Sequence, residues 1–256
     1  MGTVAFGNTG LRVSRLAFGT GTNGVGGRSE QTDLGVERLA DLLRLAYDHG
    51  VTFLDAADAY GSHPHVARAL QGIPRDTVVI ATKTMARSAD KVAQDVDRFL
   101  QELGTDVLDI VLLHFMTRPD WPQRYAGAME ALSRAKEQGK ARAVGVSCHG
   151  LGSLRAAAES DWAEVVLARI NMAGVNMDAS PAKVVPVIEQ MYASGKAIYG
   201  MKVLGCGQLA GKARAAIQYV LELGVVHSIV IGTSARGQLL ENVRLIEEHA
   251  PQYPLR

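Results

Sequence analysis

Four residues in the first half of the chain could do chemistry together. Asp55 falls at the end of the apolar run "TFLDA" (52–56), Lys83 ends "TVVIATK" (77–83) and His114 ends "LDIVLLH" (108–114). They are spaced by 28 and 31 residues, and Tyr60 follows Asp55 by five. Each has an ordinary structural explanation: an Asp at a strand end forms a turn or caps a helix, a Lys there extends to water, and a His after two leucines packs at a core rim. What those explanations leave open is why three polar residues recur at the same end of three successive runs, with a phenol beside them.

A tyrosine hydroxyl titrates near ~10 when unperturbed, and a neighbouring ammonium lowers that value. Lys83 is expected to supply the charge, with Asp55 orienting the ammonium and keeping it protonated. His114 then has a hydrogen bond to offer a substrate oxygen. This set suits protonation of a carbonyl oxygen while hydride attacks the carbon, and a reduced nicotinamide is the natural hydride source. A second reading makes Lys83 a Schiff-base former in a barrel aldolase, which requires a free amine that Asp55 would oppose.

The elements that must position these groups alternate along the whole chain. Strands are expected at "LAFGT" (16–20), the three runs above, "ARAVGVS" (141–147), "EVVLARI" (164–170), "AIYGMKV" (197–203) and "SIVIGT" (228–233). Between them lie segments of helical period such as "GVERLADLLRLAYDHG" and "DKVAQDVDRFLQELG", several closing on a C-capping Gly. Eight such units predict a (β/α)8 TIM barrel of the α/β class spanning residues 1–256 as one domain, with chemistry at the C-terminal strand ends. The opening "TVAFGNTGLRVSRLAFG" reads as a β-hairpin able to plug the barrel floor.

With 27 basic and 26 acidic residues among 256, the net charge of +1 gives no reason to expect a nucleic acid or membrane-surface partner. A small-molecule carbonyl substrate is expected instead; the oligomeric state is not legible. Cys148 and Cys206 are too few for a disulfide framework and match no metal-ligand spacing. The N-terminus has no signal-peptide pattern, and a cytoplasmic location is expected. The "HPH" at 63–65 invites a metal reading, but two histidines straddling Pro64 on a loop are expected to be solvated.

At these residues the sequence resembles the aldo-keto reductase superfamily over nearly its whole length. "FLDAADAYG" resembles the family's "FDTAxxYG" segment, "IATK" its lysine strand, "DIVLLH" its histidine strand and "GVSCH" its "GVSN" strand. The resemblance implies that Tyr60 is the general acid, that Asp55 and Lys83 tune it, and that His114 polarises the carbonyl. It also implies NADPH, with NADH possible, lying extended across the strand ends without a Rossmann domain. "GTGTNG" (19–24) literally matches a dinucleotide fingerprint, but no helix can open before about Thr32, so it reads as a loop in which Thr20 and Gly21 fall on cofactor-contact positions.

Further cofactor positions follow from the same resemblance. Ser147 matches a carboxamide-binding residue, Cys148 stands where Asn is expected, and in "LARIN" Asn171 is kept while Leu167 replaces a Gln that Arg169 could compensate. In "MKVLGCG", Met201 takes the place of a stacking aromatic, with Lys202, Gly205 and Gly207 nearby. "IGTSARGQLLENV" matches the phosphate and adenine segment through Gly232, Thr233, Ser234, Gln238, Glu241 and Asn242, with Arg236 the close cation. The usual cations for a 2′-phosphate are Gly232 and Gln238 here. Little sequence follows the last helix, so an open substrate pocket is expected, with Phe115, Met116 and Trp121 as candidate lining. A further reading, a cofactor-binding regulatory barrel with little turnover, stays open.

Overall fold

The computed structural model describes residues 1–256. Eight parallel strands close a barrel: β3 (Leu16–Gly19), β4 (Phe53–Asp55), β5 (Val79–Thr84), β6 (Leu108–Met116), β7 (Ala141–Cys148), β8 (Val165–Arg169), β9 (Ala197–Met201) and β10 (Ser228–Gly232), with β10 returning to pair with β3. They are the eight expected runs, with ends that differ by one or two residues: β5, β6 and β7 run past the expected C-terminal ends and the others stop short. A short hairpin, β1 (Thr3–Ala5) and β2 (Arg12–Ser14), precedes them. Nine helices cover the outside or bridge loops: α1 (Val36–Asp48), α2 (His63–Leu70), α3 (Ala89–Leu103), α4 (Trp121–Arg124), α5 (Ala126–Glu137), α6 (Leu151–Glu159), α7 (Pro181–Ala193), α8 (Ala213–Glu222) and α9 (Arg236–His249). No helix is long and apolar enough to cross a membrane.

Two cores result from the period of two along each strand. One parity packs outward against the helices, as Leu54, Ile80, Val111 and Leu113 do. The other fills the barrel, with Phe53, Ala81, Ile110, Leu112, Val165 and Tyr199. A strand buried on both faces reads as a continuous apolar run, which is why these segments were legible. Asp55 shares the inward parity of Phe53, Lys83 that of Ala81, and His114 that of Ile110 and Leu112, so the polar residues are the topmost members of inward columns.

The hairpin closes the opposite end. Phe6, fully buried, sits edge-on to Phe53 and Tyr199 at ring-centroid distances of 5.5 and 6.1 Å. Gly7, at φ +52°, lets the chain pass so close to the start of β9 that a Cβ there would lie 2.5 Å from the Ala197 amide nitrogen. The floor plug inferred from "GNTG" is present.

Candidate active site

Asp55, Tyr60, Lys83 and His114 converge at the barrel mouth. Lys83 is fully buried and donates from Nζ to the Asp55 carboxylate, 2.7 Å from Oδ1 and 2.8 Å from Oδ2, and to the Ala56 carbonyl at 2.8 Å. Its Nζ lies 5.0 Å from the centre of the Tyr60 ring. The Tyr60 hydroxyl is 3.4 Å from His114 Nε2, with the two rings edge to face. Asp58, two residues before Tyr60, pairs with Arg98 on α3 at 2.8 Å and so anchors the loop that carries the phenol.

The electrostatics depart from the expectation that Lys83 would lower the Tyr60 pKa. Burial pushes the phenol up, and the Asp55 carboxylate pushes it further. The leading cause is burial of the phenol, to which the Asp55 charge adds; burial likewise draws Lys83 down, while Asp55 opposes that shift. Tyr60 is thus held in its neutral, proton-bearing form. His114 is pushed down to about 2, first by burial and then by Lys83 and neighbouring cations, so its imidazole is neutral.

Two features of this site escape the sequence reading. Tyr199 donates its hydroxyl to Asp55 Oδ1 at 2.9 Å; its alternation with Ala197 and Met201 in "AIYGM" was the available signal of an inward-facing side chain. The glycines of "GTGTNG" seat the Tyr60 ring: a Cβ on Gly21 would come within 2.2 Å of it, and one on Gly24 within 2.3 Å. The loop is glycine-rich because the ring occupies the space that side chains would fill.

Beside Tyr60 runs a cleft of about 410 Å³. Gly21, Asp55, Tyr60, Leu167, Met201, Lys202, Gly232, Thr233, Ser234, Gln238, Glu241 and Asn242 line it. Four positions matched by resemblance do not. Thr20 is buried, its hydroxyl bonded to the Asp55 carbonyl and to Ser62. Ser147 accepts from the Phe115 amide at 3.1 Å. Cys148 faces the outer core toward the Ser153 carbonyl, and burial pushes its thiol above the usual range. Asn171 is consumed by the Val175 and Lys202 carbonyls and by the Ala173 and Val175 amides. Arg169 turns to Asp178 and His149 and leaves the place of the missing Gln to Leu167.

The cleft's own chemistry fits an elongated ligand with anionic groups. At its β10 end the Thr233 hydroxyl is buried without a partner, and α9 opens there with the unpaired amides of its first turn, a favourable setting for a phosphate. Lys202, in a left-handed backbone conformation, adds an ammonium that bonds Cys206 Sγ at 3.0 Å. Glu30 and Glu241 add acidic groups to the same lining, while Arg236 stands exposed at the start of α9.

Other expectations need correction. His63 and His65 are buried in the first turn of α2, not solvated on a loop: His63 bridges Glu102 and Thr82 at 2.6 and 2.7 Å, which uses both ring nitrogens. Met116 and Trp121 are core residues, Trp121 donating to the Ser153 carbonyl at 3.2 Å. Phe115 alone of that trio reaches solvent, at 47% exposure.

A closed parallel barrel whose mouth holds an Asp–Lys pair under a Tyr and a His defines a class of oxidoreductase, and the comparisons agree with it. The family model for the aldo/keto reductase family matches residues 15–215. The chain belongs to that family, whose members are NAD(P)H-dependent oxidoreductases. It is similar to aldo-keto reductase YhdN of Bacillus subtilis, 32% identical over 55% of this chain and 45% of that one. It is also similar to the NADH-specific methylglyoxal reductase of Escherichia coli, 28% identical over 57% of this chain and 52% of that one. These matches span about half the length of either relative. A solved structure described as an aldo-keto reductase from Pseudomonas aeruginosa superposes with a TM-score of 0.81 at 27% identity, over 98% of this chain and 94% of that one.

Proposed function

We propose that this protein reduces aldehydes or ketones to alcohols using NADPH, with Tyr60 as the proton donor. The observation that carries the proposal is the 3.4 Å approach of the Tyr60 hydroxyl to His114 Nε2 beside the cleft, over the buried Lys83–Asp55 pair. A reduced nicotinamide held in the cleft would supply the hydride for the carbonyl carbon. This chain's residues do the rest. Tyr60, kept protonated by burial, releases its proton to the carbonyl oxygen as negative charge grows there. His114, neutral, holds that oxygen by a hydrogen bond from Nε2; its buried Nδ1 has no partner, and a bare acceptor is the less costly group to leave unpaired. Lys83 and Asp55 fix the ground beneath the phenol. The Schiff-base reading loses its support, because Lys83 is fully buried and its ammonium is bonded to both Asp55 oxygens and to the Ala56 carbonyl.

For the cofactor, Lys202 and the first turn of α9 with Arg236 suit the phosphates and favour NADPH. A specific observation favours NADH as the second reading: Glu30 and Glu241 face the same cleft, where an added phosphate would meet like charge. Fluorescence titration with both cofactors separates these, with Arg236→Ala weakening NADPH alone if the first holds. Screening an aldehyde and ketone panel for NADPH oxidation tests the reaction itself. Tight cofactor binding with no turnover of any carbonyl would replace the reductase with a regulatory barrel.

A further inference from the structure

One guanidinium on the outside of the barrel is tied to both Tyr60 and Lys83. Arg98, on α3, donates from Nη1 to Asp58 at 2.8 Å and to Glu102 at 2.9 Å, and from Nη2 to Asp95 at 2.8 Å. Asp95 and Glu102 lie on the same helix, and exposed pairs of that spacing contribute little by themselves. What sets this cluster apart is where the second carboxylate oxygens go. Glu102 Oε2 accepts from His63 Nδ1 at 2.6 Å. Burial lowers the His63 pKa, with Glu102 opposing that shift, so the ring is neutral near pH 7. With its one proton turned to the carboxylate, Nε2 is left to accept from the Thr82 hydroxyl at 2.7 Å. Asp95 Oδ2 accepts from the Thr84 hydroxyl.

Thr82 and Thr84 are the neighbours of Lys83 on β5. Lys83 points into the barrel, so these two point out toward the helices. The network therefore grips the strand at the two residues that bracket the ammonium. Its third arm, Asp58, opens the short turn Asp58–Tyr60 that carries the phenol. The far side of that turn is tied from within: the Ser62 and Thr20 hydroxyls are 2.8 Å apart, and Thr20 also bonds the Asp55 carbonyl. Without Arg98, three carboxylates drawn to one cation would repel one another, and the turn and the strand would lose their common tie.

We propose that Arg98 is a positioning residue for carbonyl reduction: it sets the Tyr60 hydroxyl relative to Lys83 and His114 from outside the barrel, through Asp58 on one side and the Thr82 and Thr84 flanks of Lys83 on the other. The proposal rests on the reductase reading of the same site. Arg98 does not line the cleft, so its loss slows the chemical step and leaves cofactor and carbonyl binding as they are.

The test compares wild type with Arg98→Met and Arg98→Lys, and with Arg134→Met as a control for a lost helix-surface ion pair, since Arg134 meets Glu130 on α5 at 2.6 Å. Arg98→Met should lower kcat about tenfold or more, the usual result of misplacing a reacting group, with KM and cofactor affinity unchanged. Lysine, which keeps the charge without the fork, should recover part of kcat. So should millimolar guanidinium ion added to Arg98→Met, because the Arg98 side chain is 40% exposed and its place is open to solvent. An unchanged kcat, an equal loss in Arg134→Met, a loss carried by KM, or a loss that neither lysine nor guanidinium restores overturns the proposal. If Arg98→Met does not fold, Asp58→Asn removes one arm alone and should lower kcat in the same sense; wild-type kcat there ends the case. If wild type reduces no carbonyl, the reductase reading fails separately, and the carbon-13 resonance of Tyr60 Cζ, assigned by its loss in Tyr60→Phe, decides the rest. That signal should move in Arg98→Met and stay in Arg134→Met; an unmoved signal refutes the positioning role.

Discussion

Tyr199 and Asp55 meet across the interior of the barrel, from strands separated by β10 and β3, and the phenol donates to Oδ1 at 2.9 Å. Asp55 thereby has two buried partners, an ammonium and a hydroxyl, and its carboxylate cannot swing away from Lys83. Tyr199→Phe should cost about 1–3 kcal/mol of stability in urea unfolding, the usual range for a buried charge-assisted hydrogen bond. Turnover should fall with it while cofactor affinity stays the same, and unchanged stability would show that Asp55 does not depend on this donor.

Tyr60 and Lys83 should respond differently to mutation. Tyr60→Phe removes the proton donor and leaves the packing, so carbonyl reduction should drop by about 10²–10⁴-fold, the typical worth of a positioned acid, with the same thermal midpoint. Lys83→Met leaves the Asp55 charge buried with Tyr199 as its remaining side-chain donor and should destabilise the fold by about 3–5 kcal/mol. Calorimetry together with steady-state kinetics distinguishes the two; a Tyr60→Phe protein with full activity removes the phenol from the mechanism.

Gly21 and Gly24 define the seat of the Tyr60 ring, since a methyl group on either would come within 2.3 Å of it. Gly21→Ala and Gly24→Ala should displace the phenol and lower kcat by at least about tenfold, because ångström misplacement of a reacting group is costly, while circular dichroism stays that of wild type. Gly26, whose Cβ would meet nothing but which has φ +62°, supplies a control for backbone strain alone.

Buried histidines should make the fold sensitive to acid. His114 is held neutral with its pKa pushed to about 2, and His227, which accepts from the Ile198 amide, to about 4, burial being the leading cause in both. In the unfolded chain each titrates near ~6.5. Below that pH the unfolded state binds these protons and the folded state does not, so their contribution to stability is intact above about 6.5. It falls toward pH 4 by about 1.4 kcal/mol per pH unit for each group. Urea midpoints between pH 7 and 4.5 should show it, His227→Asn should reduce the slope, and a flat profile would contradict the assigned protonation states.

The barrel was legible because its strands are buried on both faces and therefore apolar without interruption, and because the polar ends of three of them stand out against that background. Spacing brought Asp55, Lys83 and His114 together, and Tyr60 joined them from the loop after Asp55, its role as acid implied by the family resemblance. What the sequence hid was direction. Cys148 and Ser147 adjoin in the chain but face opposite sides of β7, so a motif match could not say that Cys148 looks outward. Thr20 and Asn171 sit at matching positions with their polar groups spent on the backbone. The solvated reading of "HPH" failed because Glu102 and Thr82, which satisfy His63, are 39 and 19 residues away. The sign of the Tyr60 shift is hidden from the sequence because it comes first from burial of the phenol, which spacing does not show, and then from the nearby Asp55 charge.

The aromatic column from Phe6 through Tyr199 to Asp55 joins the sole of the molecule to its working end by direct touch. Two side chains separate the hairpin from the carboxylate under the phenol. Loosening that hairpin would therefore register as slower turnover before the scaffold gives way, which makes the underside of the barrel a handle for tuning the catalyst from a distance.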